Sequence, residues 1–323
     1  MPPYGPVLPD LLHVSRADVL ALDIAPARMR AAMAEVFADL ALGQCVALPK
    51  AQLPAGPEAT FQAMVAASHR WGMAAVKWVG VVPVGPGSAL PGVSATLCLN
   101  DLATGHPLAL MDGEVITLLR TAAMSALAAG RLVARPPEVL ALAGCGAQAQ
   151  SHLAAFRDLY PSLRRVLCFS RSPASAERMA ERARAMGLVA EVVAGPGPLL
   201  ARADIIISTV PAGPDMQPML DARAMKPDAL AVMVDLGRSW IPSSLTGFAL
   251  IATDSLDQMR HPLDASGQAV AAAPITQDLS GLAPLGPGRR AFCFRGHAAG
   301  DLAAAVLVHQ MVRAQGGGQV LAR

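Results

Sequence analysis

Hydrophobic positions recur along this chain with two different periods, and the architecture changes where one gives way to the other. From Ser15-Arg16-Ala17-Asp18 onward apolar residues fall at helical spacing, and residues 25–41 put Met29, Met33, Val36, Phe37 and Leu40 on one face. That spacing predicts a core-facing helix. Residues 43–50 break the pattern and read as a strand edge running to Lys50. Residues 60–67 and 74–82 read as strands, followed by Pro83 and a glycine-rich turn to Gly92, and residues 93–100 and 106–111 read as hairpin partners around a turn at 101–105. Four prolines within residues 1–14 predict an extended arm or a frayed start. The first hundred residues therefore predict an α+β domain.

A long helix follows over 116–133, with alanines at 122, 123, 126, 128 and 129 that permit close packing. Beyond it short apolar runs alternate with helical patterns: strands at 139–142, 165–170, 188–193, 203–210, 230–235 and 250–254, and helices near Ser151 and over 174–186. That alternation predicts a parallel, doubly wound sheet. An alanine-rich helix over 302–314 precedes Gly316-Gly317-Gly318, which predicts a frayed tail.

The strand at 139–142 runs straight into Gly144-Cys145-Gly146-Ala147-Gln148-Ala149 and then a helix, the order that a dinucleotide fold requires. Gly144 suits the tight turn, Gly146 leaves no side chain in the path of a pyrophosphate, and Ala149 lets helix and strand pack closely. The helix N-terminus adds N–H donors and a positive dipole end. The next strand ends in Ser170-Arg171-Ser172, where an NAD site usually carries an acid for the ribose 2′-hydroxyl. Two hydroxyls and a guanidinium suit a 2′-phosphate instead. NADP(H) is expected ahead of NAD(H).

Composition narrows the partners. The 323 residues are 53% hydrophobic, 15% charged and 4% aromatic, so the cores rest on Ala, Leu, Val and Met. With a net charge of +2 and no basic run interleaved with aromatics, no nucleic-acid partner is expected. No uncharged apolar stretch of membrane-spanning length is evident, and Met1-Pro-Pro-Tyr-Gly-Pro6 lacks the blocks of a signal peptide, so a soluble cytoplasmic protein without membrane association is expected. The five cysteines have no Cys-x-x-Cys spacing and the seven histidines no ligand spacing, so neither a disulfide framework nor a metal site is expected.

Several stretches read together resemble the ornithine cyclodeaminase/mu-crystallin family: Lys77-Trp78-Val79, Pro91-Gly92, residues 99–113, residues 116–129, the glycine loop, residues 252–258 and residues 294–301. The resemblance implies a Rossmann-type doubly wound domain over 121–304. It also implies an α+β substrate and dimerisation domain over 1–120 that residues 305–323 rejoin, and hence a homodimer. It implies hydride transfer between nicotinamide and the α-carbon of a small amino or imino acid, whose carboxylate Lys77 and Arg120 hold, with Lys50 as a third cation. An imine carbon must be held about 3–3.5 Å from the hydride donor, which is what such a clamp achieves. Thr121 is implied at the pyrophosphate, and Thr209-Val210-Pro211 along the ribose side.

One departure matters for the reaction. Where cyclodeaminases carry an Asp after the strand at 230–235, this chain has Gly237, with Asp235 two residues earlier on the same strand face. Together with the missing acid after the second strand, this favours net reduction of ketimines such as pyrroline- or piperideine-2-carboxylate. Asp235, Asp112 and Lys77 are the expected proton carriers. Ornithine cyclodeamination, alanine dehydrogenation and mu-crystallin-like binding without turnover are the alternatives.

Overall fold

A computed structural model of the chain describes residues 10–56, 59–82, 90–213, 215–282 and 286–322. The elements in order are β1 (Leu11–Val14), α1 (Arg16–Ala21), α2 (Pro26–Ala41), β2 (Cys45–Ala47), β3 (Ala51–Pro54), β4 (Thr60–Ser68), β5 (Met73–Val81), β6 (Val93–Asp101), β7 (Pro107–Asp112) and α3 (Gly113–Leu132). Then come β8 (Val139–Ala143), α4 (Ala147–Leu159), β9 (Arg165–Phe169), α5 (Pro173–Ala185), β10 (Val189–Val192), α6 (Pro196–Arg202), β11 (Ile205–Ser208), β12 (Leu230–Met233), β13 (Leu250–Thr253), β14 (Gln277–Asp278), β15 (Arg290–Cys293), α7 (Ala298–Gln315) and β16 (Gln319–Leu321). Two compact units result, one of Met1–Arg120 with His297–Arg323 and one of Thr121–Gly296. The chain rejoins the first unit at His297 rather than at residue 305, so α7 belongs to it whole.

The first unit is an eight-stranded sheet in the order β16-β1-β7-β6-β5-β4-β2, with β3 paired to β4. Ser15 starts α1 with a capping box, its side chain and that of Asp18 each accepting the other's backbone N–H. Two sequence expectations are corrected here. The segment after Asp10 is a strand, Leu12 to Val14 pairing in parallel with Ala109 to Met111. The tail does not fray either: Gly316 (φ 64°) ends α7, Gly318 (φ 77°) turns the chain, and β16 pairs antiparallel with β1. A Cβ on Gly318 would lie 2.9 Å from a methyl of Leu12, so glycine is what lets this return approach the sheet. The start of the expected arm and residues 83–89 of the expected glycine-rich turn lie outside the described residues.

Alternation along β4 and β5 sends Met64, Ala66 and Ser68, with Ala75, Lys77 and Val79, to one face of the sheet. That face is covered by α7, which also packs on α2. Phe61, Val65, Val76 and Trp78 point the other way.

The second unit is an all-parallel sheet in the order β10-β9-β8-β11-β12-β15-β13-β14. Its central strands read as unbroken apolar runs because both faces are covered: Leu140 to Ala143, Ile205 to Ile207 and Leu230 to Met233 are all buried. The strand order reverses between β8 and β11, the switch point at which such sheets take their ligands. Several elements differ from the sequence reading, which contained neither α6 nor β14. α4 begins at Ala147 rather than near Ser151, and β15, a four-residue run too short to stand out, fills the place between β12 and β13. Helix α3 is long and apolar enough to cross a bilayer, yet 67% of its apolar window is buried inside the protein, as expected of a core helix.

Candidate active site

In the first unit, Lys77 of β5 faces inward at 1% exposure and Arg120 of α3 is 4% exposed. They meet on one carboxylate. Lys77 Nζ donates to Asp301 Oδ1 at 2.6 Å and to Thr117 Oγ1 at 3.3 Å, while Arg120 Nε donates to the same Asp301 Oδ1 at 2.9 Å. Asp301 comes from the first turn of α7 and is itself 1% exposed. Two cations thus share one anion away from water, where desolvating each ion costs several kcal/mol and only close pairing offsets it.

The protonation equilibria reflect that crowding. Burial and the neighbouring Arg120 charge push the Lys77 ammonium down to about 8, against the pull of Asp301. Burial raises the Asp301 carboxyl, but Arg120, Lys77 and, more weakly, Lys50 outweigh it and leave it below its ordinary range. Lys50, half-buried between β2 and β3, therefore acts on the same cluster electrostatically. Asp301 Oδ2 has no hydrogen-bond partner among the described residues.

Asp301 is the residue that sequence reasoning missed as a member of the site. The available signal was an acid within an alanine-rich helix whose neighbours are almost all apolar, since a carboxylate on a buried face needs cationic partners. Asp112, expected as a proton carrier, and His297, not among the expected site residues, both cap helices. Asp112 Oδ1 accepts the N–H groups of Glu114 and Val115 at 3.1 and 3.2 Å and so caps α3, and His297 Nδ1 accepts from Ala299 N–H at 3.2 Å to cap α7.

The second unit carries the expected glycine loop at its switch point. Gly144 ends β8 at φ 88°, and a Cβ there would sit 2.9 Å from the carbonyl oxygen of Thr209, so only glycine fits. Thr209, just past β11, ties the two strand ends together: its N–H donates to Ala143 O at 2.8 Å and its Oγ1 to Gly144 O at 3.1 Å. Val210 and Pro211 continue that strand end, Val210 half-buried and Pro211 exposed. Gly146 is the N-cap of α4 with no side chain capping it, and a Cβ there would meet nothing within 4 Å. An uncapped helix start beside open space, with Ala147 exposed and Gln148 half-buried on its first turn, fits a pyrophosphate. Gln148 Oε1 is buried with no hydrogen-bond partner among the described residues, which also fits a ligand-lined loop. Thr121 is buried on α3. At the end of β9, Ser170 is half-buried and Arg171 exposed, while Ser172 caps α5 by accepting Ser175 N–H at 3.4 Å. Cys145 fills the turn, its thiol 3.6 Å from Phe169 O.

Asp235, past the end of β12, is fully engaged. Ser208 Oγ donates to its Oδ1 at 2.9 Å, Gly237 N–H to Oδ1 at 3.3 Å and Ser239 Oγ to Oδ2 at 2.6 Å, and Trp240 Nε1 donates to Ser208 Oγ at 3.1 Å. Burial raises this carboxyl to about 6 against those hydrogen bonds. The network ties the end of β11 to the turn after β12.

With that geometry in place, comparison with known proteins is informative. The ornithine cyclodeaminase/mu-crystallin family model matches residues 14–239. The chain is 30% identical to an alanine dehydrogenase of Archaeoglobus fulgidus over 233 residues, 71% of this chain and 70% of that protein. It is 34% identical over 161 residues to Delta(1)-pyrroline-2-carboxylate reductase 1 of Burkholderia multivorans, a match spanning about half of each protein, 50% and 51%. Among solved structures, Thermococcus litoralis Delta(1)-pyrroline-2-carboxylate reductase in complex with NADH and L-proline superposes with a TM-score of 0.86 at 22% identity, covering 95% of this chain and 99% of that one, a likeness of fold.

The shared carboxylate sets a stability prediction. Asp301→Ala leaves two buried cations without their anion and should cost about 3–5 kcal/mol, measured by urea unfolding. Lys77 adds a pH signature: its pKa falls from 10.5 to about 8 on folding, so between those values the unfolded chain holds the extra proton. Stability should therefore rise with pH across that window, and Lys77→Met should flatten the rise. A slope unchanged by Lys77→Met would contradict the assignment.

Proposed function

This chain belongs to the ornithine cyclodeaminase/mu-crystallin family, and within it we propose an NADPH-dependent reductase of small 2-imino acids. The observation that carries the reading is the buried group of Lys77 and Arg120 on a single carboxylate. One positive charge in excess, in a region withdrawn from water, is a site for one more anion, and the planar fork of Arg120 suits a carboxylate. The bound nicotinamide supplies the hydride for the imine carbon. The residues of the chain do the rest: Lys77 and Arg120 hold the substrate carboxylate, Lys50 adds attraction, and Lys77, with its pKa near 8, is the group with a proton to give to nitrogen. The imine thereby gains one hydride and one proton and becomes an amine.

Asp235 has both oxygens committed to hydroxyl and backbone donors. In this reading it orders the turn after β12 and leaves proton transfer to Lys77. The preference for NADPH is supported by the exposed Arg171 beyond β9 and by the absence of an acid at 170–172. A second reading, alanine dehydrogenase, is supported by the 30% identity to the Archaeoglobus fulgidus protein.

A homodimer through the first unit is supported by the outer face of its sheet. Val46, Leu53, Val65 and Trp78 stand exposed there, and Trp78 stacks on Phe61 with ring centroids 5.5 Å apart. The pairings Val46↔Ala67, Leu53↔Phe61, Ala63↔Trp78 and Val65↔Val76 put all of them on one face. A contiguous apolar face of this kind is the mark of an interface, and a sheet face can pair with its own copy.

Three measurements follow. NADPH oxidation at 340 nm with pyrroline-2-carboxylate and piperideine-2-carboxylate should proceed, and Arg120→Ala should lower kcat/KM by roughly 100-fold or more, chiefly through KM. Ammonia release from ornithine with no imine turnover would instead select the cyclodeaminase, and NADH-dependent amination of pyruvate the alanine dehydrogenase. Arg171→Ala should weaken NADPH binding about 10- to 100-fold while leaving NADH nearly unchanged; equal loss of both would sink the cofactor assignment. Light scattering should find a dimer in the wild type and a monomer in Trp78→Glu.

A further inference from the structure

The second unit brings two thiols together at its glycine loop. β8 and β9 run parallel, with Leu142 opposite Cys168 and Ala143 opposite Phe169. The chain then turns at Gly144, whose N–H donates to Phe169 O at 2.8 Å. That turn sets Cys145 over the end of β9, its Sγ 3.6 Å from the same carbonyl oxygen. Cys168 lies one residue before that carbonyl and is fully buried. Its thiol donates a hydrogen bond to the Cys145 sulfur.

The two sulfurs are not equivalent. Cys145 directly precedes Gly146, the uncapped start of α4, and so stands at the positive end of a helix, a setting that favours a thiolate. The Cys168 hydrogen bond and the Phe169 backbone outweigh burial and bring the Cys145 pKa below the ordinary thiol value. The same hydrogen bond, together with burial, raises that of Cys168. Cys145 is therefore the sulfur that gives up its proton first. It is also the one nearer to solvent: Cys145 is 8% exposed beside exposed Gly146 and Ala147, whereas Cys168 is 0% exposed. An outer nucleophilic thiol backed by an inner protonated one is arranged for attack on an oxidant followed by resolution as a disulfide.

We propose that Cys145 and Cys168 form a site of reversible oxidation by hydroperoxides, and that their disulfide closes the glycine loop to the dinucleotide. The Cys145 thiolate attacks a peroxide oxygen and the O–O bond breaks. The sulfur is left as a sulfenic acid, and the other oxygen takes up the thiol proton and leaves as water or an alcohol. The Cys168 sulfur then attacks the Cys145 sulfur: the S–S bond forms, the S–O bond breaks, and the hydroxyl leaves as water with the Cys168 proton. Two thiols thus give up two electrons and the peroxide gains two. A covalent S–S bond is shorter than a contact between thiols. β9 is hydrogen-bonded to β8 on one side and β10 on the other, so the loop at Cys145 and Gly146 is the part that moves. The first N–H groups of α4 are thereby drawn from the position at which they meet a pyrophosphate. This loss of affinity rests on the dinucleotide reading above; the oxidation rests on the thiol pair.

The test uses the full-length protein, either reduced or treated with hydrogen peroxide and then freed of it. Peptide mass mapping without reductant should find the peptides holding Cys145 and Cys168 joined with loss of two hydrogens. Fluorescence titration should show NADPH binding weakened about 10-fold or more by the treatment and restored by dithiothreitol. Cys168→Ser should stop at a Cys145 sulfenic acid, which dimedone traps. Cys145→Ser and Cys145→Ala should each leave Cys168 unmodified and keep NADPH affinity within about threefold of the same variant untreated. Failure of the peptides to join overturns the proposal, and so does a joined pair with unchanged NADPH affinity, or a loss of affinity that persists in both Cys145 variants. Joined peptides in a protein that takes up no dinucleotide even when reduced would remove the cofactor reading and leave the oxidation site standing.

Discussion

One carboxylate oxygen holds the first unit's chemistry together. Asp301 Oδ1 receives Lys77 at 2.6 Å and Arg120 at 2.9 Å, and each of the three comes from a different element, a central strand, the helix leaving β7, and the helix that closes the chain. None of these ions could be buried alone, because isolated burial costs more than the fold has to offer. The pairing therefore fixes more than a charge: it sets how α7 and α3 lie on the sheet, and it explains why α7, late in the sequence, belongs with the first hundred residues. Because two cations answer to one anion, the cluster is paired well enough to be buried yet keeps one positive charge in excess.

The second unit solves a different problem with the same economy. A dinucleotide phosphate is met by unpaired backbone N–H groups, and those exist only where a helix starts without a side-chain cap. α4 starts at Gly146 in that way, whereas α5 starts at Ser172 with a hydroxyl already in place. Two successive helix starts in one sheet thus differ in kind: one leaves its first N–H groups without a side-chain cap, the other satisfies them from its own hydroxyl. Thr209 makes the receiving geometry rigid by linking the ends of β8 and β11.

How much of this was legible depended on range. The alternation of strands and helices, the glycine loop, and the inward position of Lys77 all follow from periods of two and 3.6 within short windows, and they were readable. β1 and β16 were not, because a four-residue and a three-residue strand gain their pairing from partners about a hundred or more residues away, and prolines or glycines beside them masked what little pattern they had. Asp301 was visible only as an oddity, an acid among alanines; its meaning lies in a contact with a strand over two hundred residues earlier. Asp112 shows the converse, since an acid that looked chemical locally is a helix cap.

The distribution of charge gives the last step. With 26 basic and 24 acidic side chains the chain is close to neutral, yet the acids of these centres are engaged within the fold: Asp301 with two cations through one oxygen, Asp235 with hydroxyls and a backbone N–H, Asp254 with backbone N–H groups. An uncapped helix start and two cations sharing one carboxylate are both features that a bound anion would complete. An anion bound at either place would add stability by relieving a desolvation cost that the empty fold carries.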